Sequence, residues 1–435
     1  MEVSNQKIAD KHPQGVPYLF LTEMWERLSY YGMRALLILY LVSELHFSDE
    51  DAAQVYAVYT ALVYLTPILG GYLADRYLGY KAAIYLGSSL MLLGHLSLAF
   101  PELPFFYLGL GLLIFGNGFF KPNMSTVFGK LYRNKPELRD SGFTIFYMGI
   151  NLGGLIGPII CGSLGEGKNW HYGFGAAGIG MAIGMIVFYF GSRKLPASLW
   201  ERTAFVENIQ SGEASLQPVD THIKERIALI GILSFFSIFF WMAFEQVGSS
   251  MNLFALRHTD RNLLGVEVPA SFFQSINPLF ILIFGPIVAY LWSKLAERGK
   301  NPDPILKFVM SLFLLGFGFL VMVFASWEVA SGLKAGVLFL FAAYFWNTMS
   351  ELFLSPVGLS FVSKTAPSRY AGMLMGIWFL STAAGHYLAG YLFGWAGKFS
   401  DLSHFFLFFV GTSWGAAALL FGLWFFLRKW LWKLN

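Results

Sequence analysis

Twelve runs of apolar residues, each long enough to cross a hydrocarbon layer, constrain this chain more than any other feature of its sequence. A layer of about 30 Å takes about 20 helical residues to span. Within it a backbone amide must find its partner inside the protein, which leaves helices or a closed barrel. The runs fall near 16–42, 53–74, 80–99, 103–129, 139–162 and 171–191, then 226–252, 271–293, 304–326, 336–363, 369–395 and 403–427. Their length predicts an all-α membrane protein of twelve transmembrane helices. Only 13% of residues are charged, about half the usual share of a soluble chain. The lipid bilayer is therefore the expected surrounding, and no nucleic-acid partner is expected. The single cysteine, Cys161, excludes an intramolecular disulfide and a thiolate metal cluster.

Lys and Arg placement predicts the orientation, because positive charge is disfavoured on the translocated side. With both termini cytoplasmic, the inside segments hold 22 of these residues and the outside segments 5. The polar N-terminus, with Lys7, Asp10 and Lys11, lacks a signal-peptide pattern, so the first span is expected to be retained. The longest inside segment, 192–223, is polar and divides the chain into an N-terminal bundle (1–191) and a C-terminal bundle (224–435), six spans each. Two similar bundles with a site between them near the midplane is the plan of a secondary transporter. The turn Gly71-Tyr72-Leu73-Ala74-Asp75-Arg76-Tyr77-Leu78-Gly79-Tyr80-Lys81 resembles the loop motif of the major facilitator superfamily, and Ser293 to Lys300 is a weak echo of it.

Charge inside a span is costly in lipid and normally faces a cavity or another charge. Seven such residues occur: Glu23, Glu26, Arg27, Arg34, Lys121, Glu245 and Glu351. At about 100° per residue, Glu23, Glu26, Arg27, Tyr30, Tyr31 and Arg34 form one stripe about 140° wide on the first span. Glu23 and Glu26 lie about 10 to 15 Å from its start, a depth matched by Lys121 on the fourth span. Arg34 lies about 27 Å in, a depth matched by Glu245 on the seventh. Those depths allow two pairs, the second joining the bundles. Asn151, Asn277 and Glu351 fall nearer the middle.

The same residues carry a specific resemblance. Glu23-Met24-Trp25-Glu26-Arg27-Leu28-Ser29-Tyr30-Tyr31-Gly32 matches the first-span motif of the proton-dependent oligopeptide transporter family, a branch of the major facilitator superfamily. Phe146 to Gly153, Phe244-Glu245-Gln246, and Ser350 to Pro356 resemble its fifth-, seventh- and tenth-span signatures. The resemblance implies proton-coupled symport of di- and tripeptides by alternating access. It implies proton coupling by Glu23, Glu26, Arg27 and Glu245, with Lys121 paired to the first-span glutamates and Arg34 to Glu245. Arg34 and Lys121 would hold the peptide carboxylate and Glu351 its amino terminus. Asn151 and Asn277 would bond the peptide backbone, with Tyr31, Tyr64, Tyr147 and Ser355 lining the site. Trp241 and Trp378 are added as candidate side-chain pockets. A zwitterion of variable side chain is best fixed by its two ends, and an extended chain advances about 3.5 Å per residue, so opposite charges on opposite bundles would measure length.

The segment 192–223 is too short and polar to supply the two extra spans that many bacterial members carry, and the large outside domain of animal members has no counterpart. The family also includes carriers of nitrate and other solutes, so a carrier of nitrate, an amino acid or a peptide-like compound is the alternative. No phosphate-binding glycine loop, metal cluster or nucleophile triad occurs, which argues against an enzyme, an ATP-driven pump and a bound cofactor or metal. His95 and His386, in spans three and eleven, are read as neutral core histidines bonded to helix carbonyls in preference to proton relays. A monomer in a bacterial inner membrane is the expected setting.

Overall fold

The computed structural model describes residues 11–200, 222–263, 265–367, 370–399 and 401–434. Lys7, Asp10 and most of the segment expected to link the bundles lie outside the described residues. Twelve long helical passes are present. In chain order they are α1 (Val16–Ser43), α2 (Asp49–Leu73), α3 (Tyr80–Leu98), α4 (Leu103–Leu131), α5 (Arg139–Gly165) and α6 (Trp170–Lys194). The seventh pass consists of α7 (Ile223–Phe244), a tight 3-10 turn (Glu245–Gly248) and α8 (Ser250–His258). Then follow α9 (Ile276–Glu297), α10 (Pro304–Ala330), α11 (Val337–Thr365), α12 (Ala371–Phe393) and α13 (Leu402–Leu434). Among the described residues, nine helical stretches are long and apolar enough to cross a membrane by length and composition alone. The first pass is not one of them, because four charges lie along it. The chain is an integral membrane protein.

Local chemistry sets several helix ends. Ser48 caps α2 by accepting from the Asp51 amide at 3.1 Å, and Asp49, Glu50 and Asp51 complement the positive end of the helix dipole. Asn169 caps α6, and Asp303 caps α10 with Pro304 at its first position. The break in the seventh pass follows no proline. Gly248 ends the 3-10 turn, and a side chain there would collide with the Tyr56 hydroxyl and the Arg34 guanidinium.

Helices α1 to α6 pack mainly among themselves, with α1 against α5 and α6, α3 against α4 and α6, and α2 against α4. Helices α7 to α13 do likewise, with α10 against α11 and α13, and α7 against α12. Gly153 and Gly157 let α5 lie directly on the α1 backbone at Met24 and Leu28, which fixes the rotation of the charged stripe. The two halves meet along α2 and α12, where Gly390 lies on Ala57, and along α5 and α9, where Pro278 packs beside Gly154. At the end of the molecule away from the termini, Thr259–Asp260 pairs in parallel with Ala335–Gly336, and Asn262–Leu263 pairs with Val266–Glu267 in a small hairpin.

In the 71–81 turn, Asp75 accepts from the Tyr80 hydroxyl at 2.6 Å, and Arg76 donates to the Tyr72 hydroxyl at 2.8 Å. Gly79 turns the chain with φ +76°, a conformation that a residue with a Cβ enters only at a cost.

Candidate functional site

Three polar clusters line the region where the halves meet, each set by helix geometry. The first is contained in α1. Arg27 reaches back to Glu23 (Nε to Oε1, 3.3 Å) and forks onto both oxygens of Glu26, one contact being Nη2 to Oε1 at 2.7 Å. Its guanidinium also lies 5.2 Å from the Tyr30 ring centre and 5.9 Å from that of Tyr31. All three charged side chains are buried, and the second oxygen of Glu23 has no hydrogen-bond partner among the described residues. Two acids thus share one base.

The second cluster joins the halves. Arg34 of α1 donates through Nη2 to Glu245, which lies at the start of the 3-10 turn, and through Nε to the Tyr56 hydroxyl of α2 at 3.0 Å. His386 of α12 brings Nδ1 to 3.2 Å from Glu245 Oε2. Its ring stacks on Tyr64 at 4.1 Å and 20°, and on Trp241 at 5.5 Å and 19°. The third cluster belongs to the second half. Asn277 of α9 donates to Glu351 Oε2 at 2.9 Å and to Thr348 Oγ1 at 3.1 Å, both on α11. One turn beyond Glu351, the buried Ser355 hydroxyl has no partner among the described residues.

Lys121 makes a different contact from the pair that its depth allowed. Among the described residues it makes no ion pair with Glu23 or Glu26; Arg27 occupies both acids, and the Lys121 ammonium sits 4.5 Å over the Tyr64 ring. Glu23 and Arg27 are four positions apart on one helix, where side chains are neighbours, and Arg27 also folds back onto the adjacent Glu26, so both acids are held without Lys121. Asn151 turns its amide to the Tyr147 carbonyl of its own helix at 2.9 Å, and the Tyr147 side chain is 37% exposed. Tyr31 packs beside Gly154, opposite Pro278, so α1, α5 and α9 converge there. Trp378 is buried within the second half, 6.0 Å from Phe308 and against Gly358, and those contacts do not bring it to the polar clusters.

The two histidines differ from the reading given to them. Neither ring nitrogen of His95 has a hydrogen-bond partner among the described residues, and His386 faces Glu245, not a helix carbonyl. Sequence reading also missed Tyr56, whose part depends on Gly248 across the interface, and Glu166. The latter ends α5 and accepts from the Ala270 amide at 2.6 Å and from the Ser271 amide and hydroxyl at 3.1 Å each, while Arg261 pairs with it at 3.2 Å. Its signal, an acid beside glycines at a loop edge, is common to many solvated turns.

Every hydrogen bond and ion pair that joins the halves among the described residues lies at midplane or toward the end away from the termini. Among the described residues the halves are therefore sealed together by these bonds at the end away from the termini, with Lys121 and the Asn277–Glu351 cluster on the terminal side of the Arg34–Glu245 pair.

The comparisons agree with this architecture. A family model described as "POT family" matches residues 81–211 and 207–405. An uncharacterized transporter YclF of Bacillus subtilis is 36% identical over 91% of this chain and 90% of its own length. A di-/tripeptide transporter of Lactococcus lactis is 32% identical over 85% of this chain and 86% of its own. A crystal structure of a peptide transporter POT in complex with sulfate superposes with a TM-score of 0.83 at 30% identity, covering 96% of both chains.

Proposed function

This chain belongs to the POT family, and from that premise we propose that it carries di- and tripeptides across the membrane together with protons, by alternating access between its two halves. Residues 1–191 and 224–435 are the two moving bodies. The Lys and Arg bias, 22 against 5, supports cytoplasmic termini and a bacterial inner membrane. On that reading the sealed end is the outer one, and the structure is the inward-facing state of a monomer.

The observation that carries the proposal is the Arg34–Glu245 pair, an ion pair made between the halves within the membrane. A peptide carboxylate that engages Arg34 and Lys121 competes directly with Glu245 for the guanidinium, which suits the forked geometry of a carboxylate. The Glu351–Asn277 pair offers the peptide amino group an acid on the opposite half, and Asn151, Tyr31, Tyr64, Tyr147, Ser355 and Trp241 would line the space between. An acid deprived of its cation in this environment needs a proton to restore neutrality, because an uncompensated buried charge costs several kcal/mol. Glu23 and Glu26, two acids around Arg27, offer a second such position. Substrate and protons then favour the same change of state, as population shift requires.

The test is uptake of a labelled dipeptide into proteoliposomes with and without an imposed proton gradient. Accumulation should require the gradient, and unlabelled dipeptides should compete while nitrate and single amino acids should not. Competition by nitrate or amino acids alone would replace the substrate class. Glu351→Gln should weaken binding of free dipeptides by about tenfold or more and of N-acetylated ones little, since only the former present an ammonium to the acid. Equal loss for both would reject that assignment.

A further inference from the structure

His386 is buried, contributed by the second half, and placed against groups of the first. The groups that face it are Glu245 from the seventh pass, Arg34 through Glu245 from α1, Tyr64 from α2 with Lys121 of α4 beyond it, and Trp241 from α7. The two stacked rings flank the imidazole, and Nδ1 lies 3.2 Å from Glu245 Oε2, the oxygen that also receives Arg34, without the geometry of a hydrogen bond in this state.

One carboxylate oxygen thus has a permanent cation on one side and a titratable ring on the other. With Arg34 bound, Glu245 is already compensated, and a second positive charge has no role. Once Arg34 turns away, Glu245 is a buried anion with a histidine 3.2 Å from it, and an imidazolium is the nearest available replacement.

Resting on the reading of Arg34 as the carboxylate anchor, we propose that His386 is the stand-in cation of the Arg34–Glu245 lock, taking up the coupling proton on its ring when substrate draws Arg34 away. The balance is simple. One proton adds to the neutral imidazole, no bond breaks, and the Glu245–His386 pair is neutral with Arg34 gone. When Arg34 returns, the proton leaves the ring, and the lock reverts to the arrangement seen here. In this role His386 acts through Glu245, as a positioning residue for the proton.

A peptide-free experiment separates this from the transport reading. In the full-length protein in nanodiscs with 15N-labelled histidine, the His386 resonance is identified by its loss in His386→Gln. Wild type at pH 7 should show the neutral ring, and Arg34→Met should show the imidazolium. A neutral ring in Arg34→Met overturns the proposal. Should Arg34→Met not fold, proton uptake on adding a dipeptide to weakly buffered protein is the second measurement. It should fall about threefold or more in His386→Gln while dipeptide binding persists, because the titratable ring is removed and the anchor stays. Undiminished proton uptake overturns the proposal. Absence of dipeptide binding by wild type overturns the peptide reading instead, and the spectroscopic arm still decides the role of His386.

Discussion

The two ends of this molecule are bonded in different ways. Toward the end away from the termini, the halves are stitched by ion pairs at three depths: Arg34–Glu245 with side chains 13% and 4% exposed, Arg261–Glu166 at 12% and 11%, and Arg257–Asp49 at 41% and 36%. Nearer the terminal end, among the described residues, Arg27 pairs with Glu23 and Glu26 inside the first half, and Glu351 accepts from Asn277 inside the second. Charges paired across an interface hold it shut. Charges paired within a half place no such constraint on it, which is the asymmetry that the proposed alternating access uses.

Burial ranks the stitches, because the cost of orphaning one partner grows as water is excluded. Arg34→Ala removes the deepest stitch and leaves Glu245 only the His386 stand-in from its own half, which bonds nothing across the interface, and should cost the seal about 3 kcal/mol. Gradient-driven dipeptide uptake should drop at least about 100-fold, as a loss of that size implies. Retention of even half the uptake would show that the pair is not the keystone of the seal. Glu26→Gln sharpens the contrast from the other end, because it alters charge within one half only. Accumulation should fall about tenfold while exchange between preloaded vesicles and medium persists, and labelling of a cysteine introduced on the sealed side should stay unchanged. A change in that labelling would place Glu26 among the stitches.

Glu166→Gln leaves the shape of the middle stitch and removes its charge. Labelling from the sealed side should rise about three- to tenfold, the range expected when charge-assisted hydrogen bonds become ordinary ones. The smallest effect belongs to Arg257→Ala. An exposed ion pair contributes about 0 to 1 kcal/mol, so its labelling and uptake should stay within about twofold of wild type. An effect of Arg257→Ala larger than that of Glu166→Gln would break the ranking by depth.

Much of this was legible in the sequence, for a physical reason. A helix in lipid announces itself by length and hydropathy, and each expected span has its helical pass within a few residues. The second begins earlier than its apolar run because Ser48 and three acids form a cap that hydropathy ignores. Buried charges were equally visible, since an acid in an apolar run is conspicuous. Their partners were less so. Depth along a helix set Glu23, Glu26 and Lys121 level with one another, but rotation and reach decided that Arg27 takes both acids. The break at Glu245–Gly248 left no proline to betray it, because its cause, the Tyr56 hydroxyl, comes from a helix nearly two hundred residues earlier. His386 looked like an ordinary core residue because what distinguishes it, Glu245, lies about 140 residues earlier in the chain on another pass, with Tyr64 of the other half stacked on the ring.

The Glu166 contact also bears on which substitutions the seal tolerates. Two of its four hydrogen-bond donors on the far side are backbone amides, those of Ala270 and Ser271, the others being the Ser271 hydroxyl and the Arg261 guanidinium. Backbone donors survive almost any change of side chain, proline being the exception. The amide donors of this contact are therefore nearly immune to point substitution, whereas the accepting carboxylate hangs on a single codon. A lineage drifting under weak selection would lose the seal through position 166 far more often than through 270 or 271, so random mutagenesis screened for leakiness should recover a one-sided pattern.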